Sequence, residues 1–188
     1  MFTHDSIAVG EDGPTHQPIE QLTMLRGIPN INVIRPADAN EVKAAYKLAL
    51  ESKKTPTVIV LTRQDAPNII PEDKINLDKG GYIVSDEDEI EGILIASGSE
   101  VNLAIKAQKL LKDQGKNVRV VSMPCTNLFD KQDKKYQDQI LPPYITKRLA
   151  IELSEGAHLY KYVGVFGSLY RLSDFGRSGK GSEVIKYF

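Results

Sequence analysis

Apolar residues along the first third of the chain fall into short β-branched runs separated by a stretch with helical spacing. The run Thr57–Thr62 is continuous and β-branched, which is typical of a strand buried on both faces of a parallel sheet. Residues 32–36 predict a shorter strand that ends at a proline. Between them, Asp38 predicts the start of a helix, with Glu41 as its capping-box partner three residues later. The pattern predicts a strand–helix–strand unit.

A second alternating unit begins at residue 92. Gly92–Ala96 predicts a strand, and Ser97 with Glu100 predicts the cap of the following helix. Further strands are predicted at Val118–Met123 and Arg148–Leu153. Strands that alternate with helices indicate the α/β class with right-handed crossovers. We therefore expect two α/β lobes, each with a parallel or mostly parallel sheet flanked by helices.

The stretch between the two units has a different composition. Residues 65–81 are rich in proline, glycine, asparagine and charged side chains, which is typical of a connection between domains. We predict a first domain over 1–66, a linker over 67–82 and a second domain over 83–188. One continuous sheet containing both lobes' strands would contradict this division.

Composition and charge exclude several classes of partner. The chain is 41% hydrophobic and 26% charged, with a formal net charge of −1, so no long-range field attracts nucleic acid or anionic lipid. The sequence has no apolar run long enough for a membrane span and no secretory signal. A single cysteine, Cys125, cannot form an internal disulfide and fits a reducing, cytoplasmic setting. We expect it to be a structural thiol.

The richest candidate chemistry lies near the start of the chain. Two of the three histidines, His4 and His16, lie there with Asp12 among glycines and prolines that restrict the backbone. Imidazole can transfer a proton near neutral pH, and a carboxylate accepts hydrogen bonds from hydroxyl groups. Arg63 follows a predicted buried strand, at the sheet edge where ligands collect, and its guanidinium suits a phosphate. These residues favour a polyhydroxy, anionic substrate.

Each of these residues also has an ordinary structural interpretation. His4 and His16 could be surface or capping residues, and Asp12 before Gly13 could simply form a turn. Arg63 could be a structural ion-pair partner. The spacing of the two histidines and Asp12 matches no tight zinc pattern, so we predict no metal ligands.

Two weaker candidates lie near the other end. Gly176–Ser182 resembles a phosphate-binding loop, but Asp174 stands at the first glycine position and Gly181 at the hydroxyl position. We expect a flexible surface loop there. We expect His158 to start a helix or to contact solvent.

Several short motifs follow one another along the chain. They are Thr3-His4-Asp5-Ser6, Gly10-Glu11-Asp12-Gly13-Pro14-Thr15-His16-Gln17-Pro18, Arg35-Pro36-Ala37-Asp38, Leu61-Thr62-Arg63-Gln64, Lys79-Gly80-Gly81-Tyr82, Ala96-Ser97-Gly98-Ser99-Glu100-Val101, Val120-Val121-Ser122-Met123-Pro124 and Phe129-Asp130-Lys131-Gln132. In this order they resemble the transketolase family. The first two motifs carry most of the resemblance, which extends over essentially the whole chain. The form Thr15-His16-Gln17-Pro18 is similar to the bacterial, fungal and plant type.

The resemblance implies a homodimeric enzyme that uses thiamine diphosphate and Mg²⁺ or Ca²⁺, in the pentose phosphate pathway. Such an enzyme moves a two-carbon ketol unit from a ketose phosphate to an aldose phosphate, and the cofactor is the electron sink. By this resemblance His4 and Arg63 hold the terminal phosphate and Asp12 bonds a sugar hydroxyl. His16 is the catalytic candidate and lies close to the cofactor's aminopyrimidine and the substrate.

The resemblance also implies that the chain is the C-terminal part of such an enzyme. It corresponds to the end of the pyrimidine-binding domain and most of the C-terminal domain. We expect these residues alone to be inactive, with no complete cofactor site. The alternatives are another ketol transferase, such as dihydroxyacetone synthase, and a non-catalytic binding or regulatory module with a ligand at the strand ends of the second sheet.

Overall fold

Two separate sheets organise the protein, in a computed structural model that describes residues 1–188. The strands are β1 (Phe2–Thr3), β2 (Asn32–Ile34), β3 (Thr57–Leu61), β4 (Tyr82–Ser85), β5 (Gly92–Ala96), β6 (Val118–Ser122), β7 (Arg148–Ile151) and β8 (Ser168–Tyr170). The helices are α1 (Gln21–Arg26), α2 (Ala39–Glu51), α3 (Glu100–Asp113), α4 (Thr126–Phe129), α5 (Lys134–Ile140), α6 (Tyr160–Val163) and α7 (Gly181–Tyr187). The predicted α/β class with two sheets is confirmed.

The first sheet is fully parallel and has the order β1-β3-β2. Thr3 pairs with Leu61, so the chain leaves β1 and β3 at the same edge of the sheet. Since His4 follows β1 and Arg63 lies just beyond β3, both residues leave the sheet on this carboxyl edge.

The second sheet is mostly parallel and has the order β4-β6-β5-β7-β8. Strands β5 to β8 pair in parallel, whereas β4 runs antiparallel to β6 at the edge. The sequence pattern did not predict β4 or β8, which are short and flank the sheet. An antiparallel edge strand on an otherwise parallel sheet is common in α/β proteins.

Both faces of the central strands in each sheet are covered. In the second sheet Ile93 and Ile95 join one core cluster while Leu94 and Ala96 join another, as the two-residue period of a strand requires. In the first sheet the alternation places Ile34 and Ile59 against α2, and Val33 and Val60 against Leu22 of α1. These faces explain the nearly continuous apolar runs in the sequence.

The cap of α2 forms only in part as predicted. The Asp38 carboxylate accepts a hydrogen bond from the Glu41 amide (2.9 Å), which confirms the N-cap. The buried Glu41 carboxylate instead accepts from the Ala37 amide and from the hydroxyls of Tyr82 and Ser122. Burial raises the pKa of Glu41, and these three donors oppose that rise. The side chain therefore joins the first domain to the second sheet.

The predicted cap of α3 is wrong. Ser99, and not Ser97, occupies the N-cap position, and no side chain caps the helix. The Ser97 hydroxyl lies 3.5 Å from Glu152, and the Glu100 carboxylate binds Arg35. The buried Arg26 also contacts the Ser97 hydroxyl (3.4 Å), so two arginines of the first domain hold these side chains away from the helix terminus.

The predicted linker packs against both domains. It contains two 3₁₀ turns, Glu72–Lys74 and Leu77–Lys79. Ile70 belongs to a core cluster of the second sheet, and Leu77 to a cluster of the first. The predicted bounds 1–66, 67–82 and 83–188 stay a prediction.

The Arg35 guanidinium, fully buried, lies at the junction of the two sheets. Its Nε donates to Asp5 (2.9 Å), its Nη2 to Glu100 (2.8 Å) and its Nη1 to Glu152 (2.9 Å). Burial opposes the charge, yet the three carboxylates together raise the pKa of Arg35 above its ordinary value. A Cβ at Gly98, where φ is +59°, would lie 2.7 Å from the guanidinium, so this approach requires glycine.

We predict that Arg35→Met lowers the free energy of unfolding by about 3–5 kcal/mol, because it leaves buried carboxylates without a counter-charge. Urea denaturation of the variant and the parent protein measures this. The matched control is Lys43→Met, which removes an exposed ion pair with Glu72 and should cost less than about 1 kcal/mol. Equal losses for the two variants would contradict the prediction.

Candidate functional site

The segment from His4 to Gln17, called the N-terminal loop below, folds as two consecutive 3₁₀ turns. The first is Ile7–Asp12, and the Ser6 hydroxyl caps it by accepting from the Ala8 amide (3.3 Å). The second is Pro14–His16. Glycines with φ of +74° and +76°, Gly10 and Gly13, form the bends. The glycines and prolines thus shape the loop, as the sequence predicts.

The loop brings three of the four predicted site residues together. His4 Nε2 lies 3.7 Å from Asp12 Oδ2, and the ring centroids of His4 and His16 are 6.0 Å apart. The His4 side chain is 17% exposed and that of Asp12 49% exposed, while His16 is exposed. Two imidazoles and a carboxylate therefore share one small surface that a substrate can reach.

Both imidazoles are oriented by the threonine that precedes them. Nδ1 of His4 shares a hydrogen bond with the Thr3 hydroxyl (2.9 Å), and Nδ1 of His16 with the Thr15 hydroxyl (3.0 Å). Nε2 of His16 makes no hydrogen bond within the protein. This nitrogen is therefore free to give a proton to a bound molecule or take one from it.

A cleft of about 400 Å³ opens beside the two histidines. Gln21 of α1 forms part of one wall, and Phe175 of the second domain forms part of another. Phe175 stands well over a hundred residues from the loop in sequence, so no local pattern could have found it. The cleft joins the two domains, as small-molecule sites often do.

Arg63 lies at the same sheet edge as His4 but does not line the cleft. It is exposed and forms no ion pair, so the structural ion-pair alternative is not realised here. Its neighbour Gln64 donates a hydrogen bond to the Ala8 carbonyl, which ties the segment after β3 to the N-terminal loop.

The helix that follows the loop, α1, is held by polar contacts with the second domain. Arg26 Nη1 donates to Glu152 (3.2 Å) and lies 2.8 Å from His158 Nε2. The Thr23 hydroxyl donates to Glu155 (2.8 Å). His158 lies in a short 3₁₀ turn, Ala157–Leu159, directly before α6, and it is partly buried with Arg26 against its ring nitrogen.

The contacts with Arg26 shift the pKa values of His158 and Glu152. Burial, followed by the nearby charge of Arg26, lowers the pKa of His158 to about 4. Burial would raise the pKa of Glu152, but the guanidinium groups of Arg26 and Arg35 lower it to about 2. Both groups are therefore held in their unprotonated forms at neutral pH.

The polar side chains at the N-terminal loop are two imidazoles and one carboxylate. No group of three histidine, cysteine or acidic side chains is placed to hold a metal. The imidazoles of His4 and His16 can donate hydrogen bonds to hydroxyl groups or accept them, and the carboxylate of Asp12 can accept them. Cys125 is buried, and burial raises the pKa of its thiol, as expected for a structural cysteine.

None of the helices has the length and apolar character needed to cross a membrane.

A larger groove of about 740 Å³ lies at the amino ends of the second sheet. Its two lysines, Lys116 and Lys147, both pair with Glu91 (3.6 and 3.4 Å). The carboxyl ends of β5 and β7, where the regulatory alternative would place a ligand, are occupied by Ser97, Glu100 and the rest of the Arg35 cluster.

The predicted surface loop at Gly176–Ser182 is largely exposed, but it also makes close tertiary contacts. Its backbone packs directly on the N-terminal loop, and Gly176 is buried. Gln17 donates to the Arg177 carbonyl from the other domain. The glycines that suggested flexibility instead permit close contact between two backbones.

Comparison with known proteins adds two family models and several relatives. A model described as "Transketolase, pyrimidine binding domain" matches residues 1–68, and one described as "Transketolase-like TK C-terminal domain" matches residues 80–188. Transketolase from Staphylococcus epidermidis is 52% identical over 193 residues, which cover 100% of this chain and 29% of the relative.

Solved structures of transketolases are similar to this chain in fold. Transketolase from Pichia stipitis in complex with sedoheptulose-7-phosphate is 45% identical, with a TM-score of 0.90 over 98% of this chain and 27% of that one. Transketolase from Campylobacter jejuni is 41% identical, with a TM-score of 0.89 over 99% of this chain and 28% of that one. The chain thus spans less than a third of the length of these relatives.

We predict that acid destabilises the protein in two separate steps. The unfolded chain binds a proton at His158 more readily than the folded chain, so stability falls between pH 6.5 and about 4. The loss should be on the order of 3 kcal/mol. The depressed pKa of Glu152 adds a further loss between pH 4.5 and about 2, and the raised pKa values of Glu41 and Glu100 oppose it, because the folded chain binds their protons more readily. Urea denaturation at pH 7.5, 5.5 and 4.5 measures the first step.

His158→Gln removes the titrating ring and keeps a side chain that can accept from Arg26. Its free energy of unfolding should change much less between pH 7.5 and 4.5 than that of the parent. An unchanged pH slope in this variant would assign the first step to other groups.

Proposed function

Because this chain belongs to the transketolase family, we propose that its full-length protein transfers a two-carbon ketol unit from a ketose phosphate to an aldose phosphate. The observation that carries the proposal is the cluster of His4, Asp12 and His16 on one loop, at the same sheet edge as Arg63. A sugar phosphate offers hydroxyl groups and a dianion, and this set contains the matching acceptors and donors.

We assign the two ends of the substrate to different residues. Arg63 binds the terminal phosphate, since its guanidinium is exposed, free of ion pairs and able to donate two parallel hydrogen bonds. His4 assists from the same sheet edge. Phosphate binding far from the reacting carbons supplies energy that the enzyme can use at those carbons.

Asp12 and His16 act nearer to the reacting carbons. The half-exposed carboxylate of Asp12 accepts a hydrogen bond from a sugar hydroxyl. His16, with Nδ1 fixed by Thr15, offers Nε2 as the group that holds or moves a proton at a substrate oxygen. His16 is thus the catalytic candidate of this chain, and it would also lie close to the cofactor's aminopyrimidine.

The full-length protein is further proposed to use thiamine diphosphate with Mg²⁺ or Ca²⁺, to act as a homodimer and to reside in the cytoplasm. Family membership supports the cofactor. A single, buried free thiol supports a reducing compartment. The residues of this chain supply no metal-binding cluster, so the cofactor's diphosphate end is not assigned to them.

Arg63→Ala in the full-length enzyme should lower kcat/KM for phosphorylated substrates by about 10- to 150-fold. This corresponds to the loss of a charge-assisted contact worth about 1.5–3 kcal/mol. A non-phosphorylated acceptor such as glycolaldehyde should lose much less. Steady-state kinetics with both acceptors measures the difference.

Lys54→Ala is the matched control. Lys54 is also an exposed cation, but it precedes β3 and so lies at the opposite edge of the same sheet. Its kinetics should equal those of the parent enzyme. If Arg63→Ala loses activity equally with both acceptor classes, Arg63 is structural and the phosphate assignment is wrong.

The 188-residue chain alone should neither turn over sugar phosphates nor bind thiamine diphosphate tightly. A diphosphate is held through a metal ion with carboxylate and carbonyl ligands, and no suitable cluster is present here. Calorimetric titration with cofactor and Mg²⁺ measures this. Saturable binding at micromolar cofactor would mean that these residues form more of the cofactor site than we propose.

A further inference from the structure

A single buried amide, that of Gln17, closes the segment that carries Asp12 and His16. Its Nε2 donates to the carbonyl of Gly10 (3.2 Å), at the beginning of that segment. The same Nε2 donates to the carbonyl of Arg177 (2.9 Å), which belongs to the second domain. One side chain therefore fixes both the shape of the loop and its position relative to the other domain.

The two backbones around this amide approach so closely that glycine is needed on both sides. A Cβ at Gly176 would overlap the Gln17 amide, and a Cβ at Gly10 would lie 2.8 Å from the Gly181 nitrogen. A Cβ at Gly13 would meet the Ser178 hydroxyl. The second domain thus contacts the loop at both of its bends.

The orientation of the amide is set by its surroundings. Both hydrogen bonds of Nε2 go to carbonyl oxygens, so a flipped amide would place Oε1 against two acceptors. In the observed orientation, Oε1 is buried without a donor. A buried polar atom left unsatisfied costs stability, and such sites in native proteins often serve a function.

We propose that Gln17 is a positioning residue of this enzyme, through which the C-terminal domain holds Asp12 and His16 in their working geometry. The inference rests on the proposed function, because it assigns Gln17 a task in the same reaction. Gln17 itself contacts no reacting atom. It acts because His16 is its direct neighbour and because Asp12 lies within the ring that its hydrogen bond to Gly10 closes.

The test uses the full-length enzyme and a double-mutant cycle between Gln17→Met and Asp12→Ala. Methionine keeps the length of the side chain and removes both hydrogen bonds. We expect Gln17→Met to lower kcat/KM for a ketose phosphate donor about tenfold or more, with thermal unfolding still cooperative. In the Asp12→Ala background the same change should cost several-fold less, because its target is already gone.

Gln108→Met is the matched control. Gln108 is equally buried and its Nε2 also donates to a carbonyl, that of Val118, but it lies on α3 away from the loop. This variant should lose stability and keep the parent's kcat/KM. If Gln17→Met does not fold, Gly176→Ala enters the cycle instead, since its Cβ displaces the same amide from the other domain.

The outcomes distinguish the positioning role of Gln17 from the proposed role of Asp12. Parent-like kcat/KM for a folded Gln17→Met or Gly176→Ala, or full additivity with Asp12→Ala, overturns the positioning role. Parent-like kinetics of Asp12→Ala by itself overturns the proposed role of Asp12, and with it the basis of the assignment of the site.

Discussion

A guanidinium that stays charged at every physiological pH and has no access to water must find its counter-charges within the protein. Arg35 meets this constraint with Asp5 from its own domain and with Glu100 and Glu152 from the other. These residues follow β1, β2, β5 and β7, so the carboxyl edges of both sheets converge on one cluster. The relative placement of the two domains depends on this convergence.

The same cluster limits where a ligand can bind. In open α/β sheets, ligands usually bind outside the carboxyl ends of the strands. In the second domain these ends are filled by the Arg35 cluster. The open edge is that of the first sheet, where His4 directly precedes the buried Asp5. The partly exposed imidazole of His4 is thus one residue away from the cluster that joins the domains.

Local patterns were sufficient to predict much of this architecture and the shape of the N-terminal loop. β-branched runs located the central strands, and the Asp38 side chain does cap α2. The glycines and prolines of the N-terminal loop indicated a shaped loop, and the loop does bring His4 close to Asp12.

The predictions that failed concern residues whose contact partners lie far away in the sequence. Ser97 and Glu100 have the residue types and spacing of a capping box, but two buried arginines of the first domain contact them. Arg26 lies 3.4 Å from the Ser97 hydroxyl, and Arg35 binds Glu100. Glu41 likewise turns toward Tyr82 and Ser122. The glycines of Gly176–Ser182 predicted a flexible loop. The contact of Gly176 with Gln17 spans more than a hundred and fifty residues, so the local pattern did not reveal it. Such long-range contacts produce no periodicity or residue spacing from which they could be predicted.

The Arg35 cluster also limits how this protein can change over evolution or by recombination. Exchange of one domain for that of a distant relative would separate Arg35 from Glu100, Glu152 and the bare backbone of Gly98. A buried charge without its partners destabilises strongly, whereas replacement of a whole cluster by apolar groups is often neutral. Chimeras should therefore tolerate this junction only when both halves of the cluster are inherited from one parent or redesigned together.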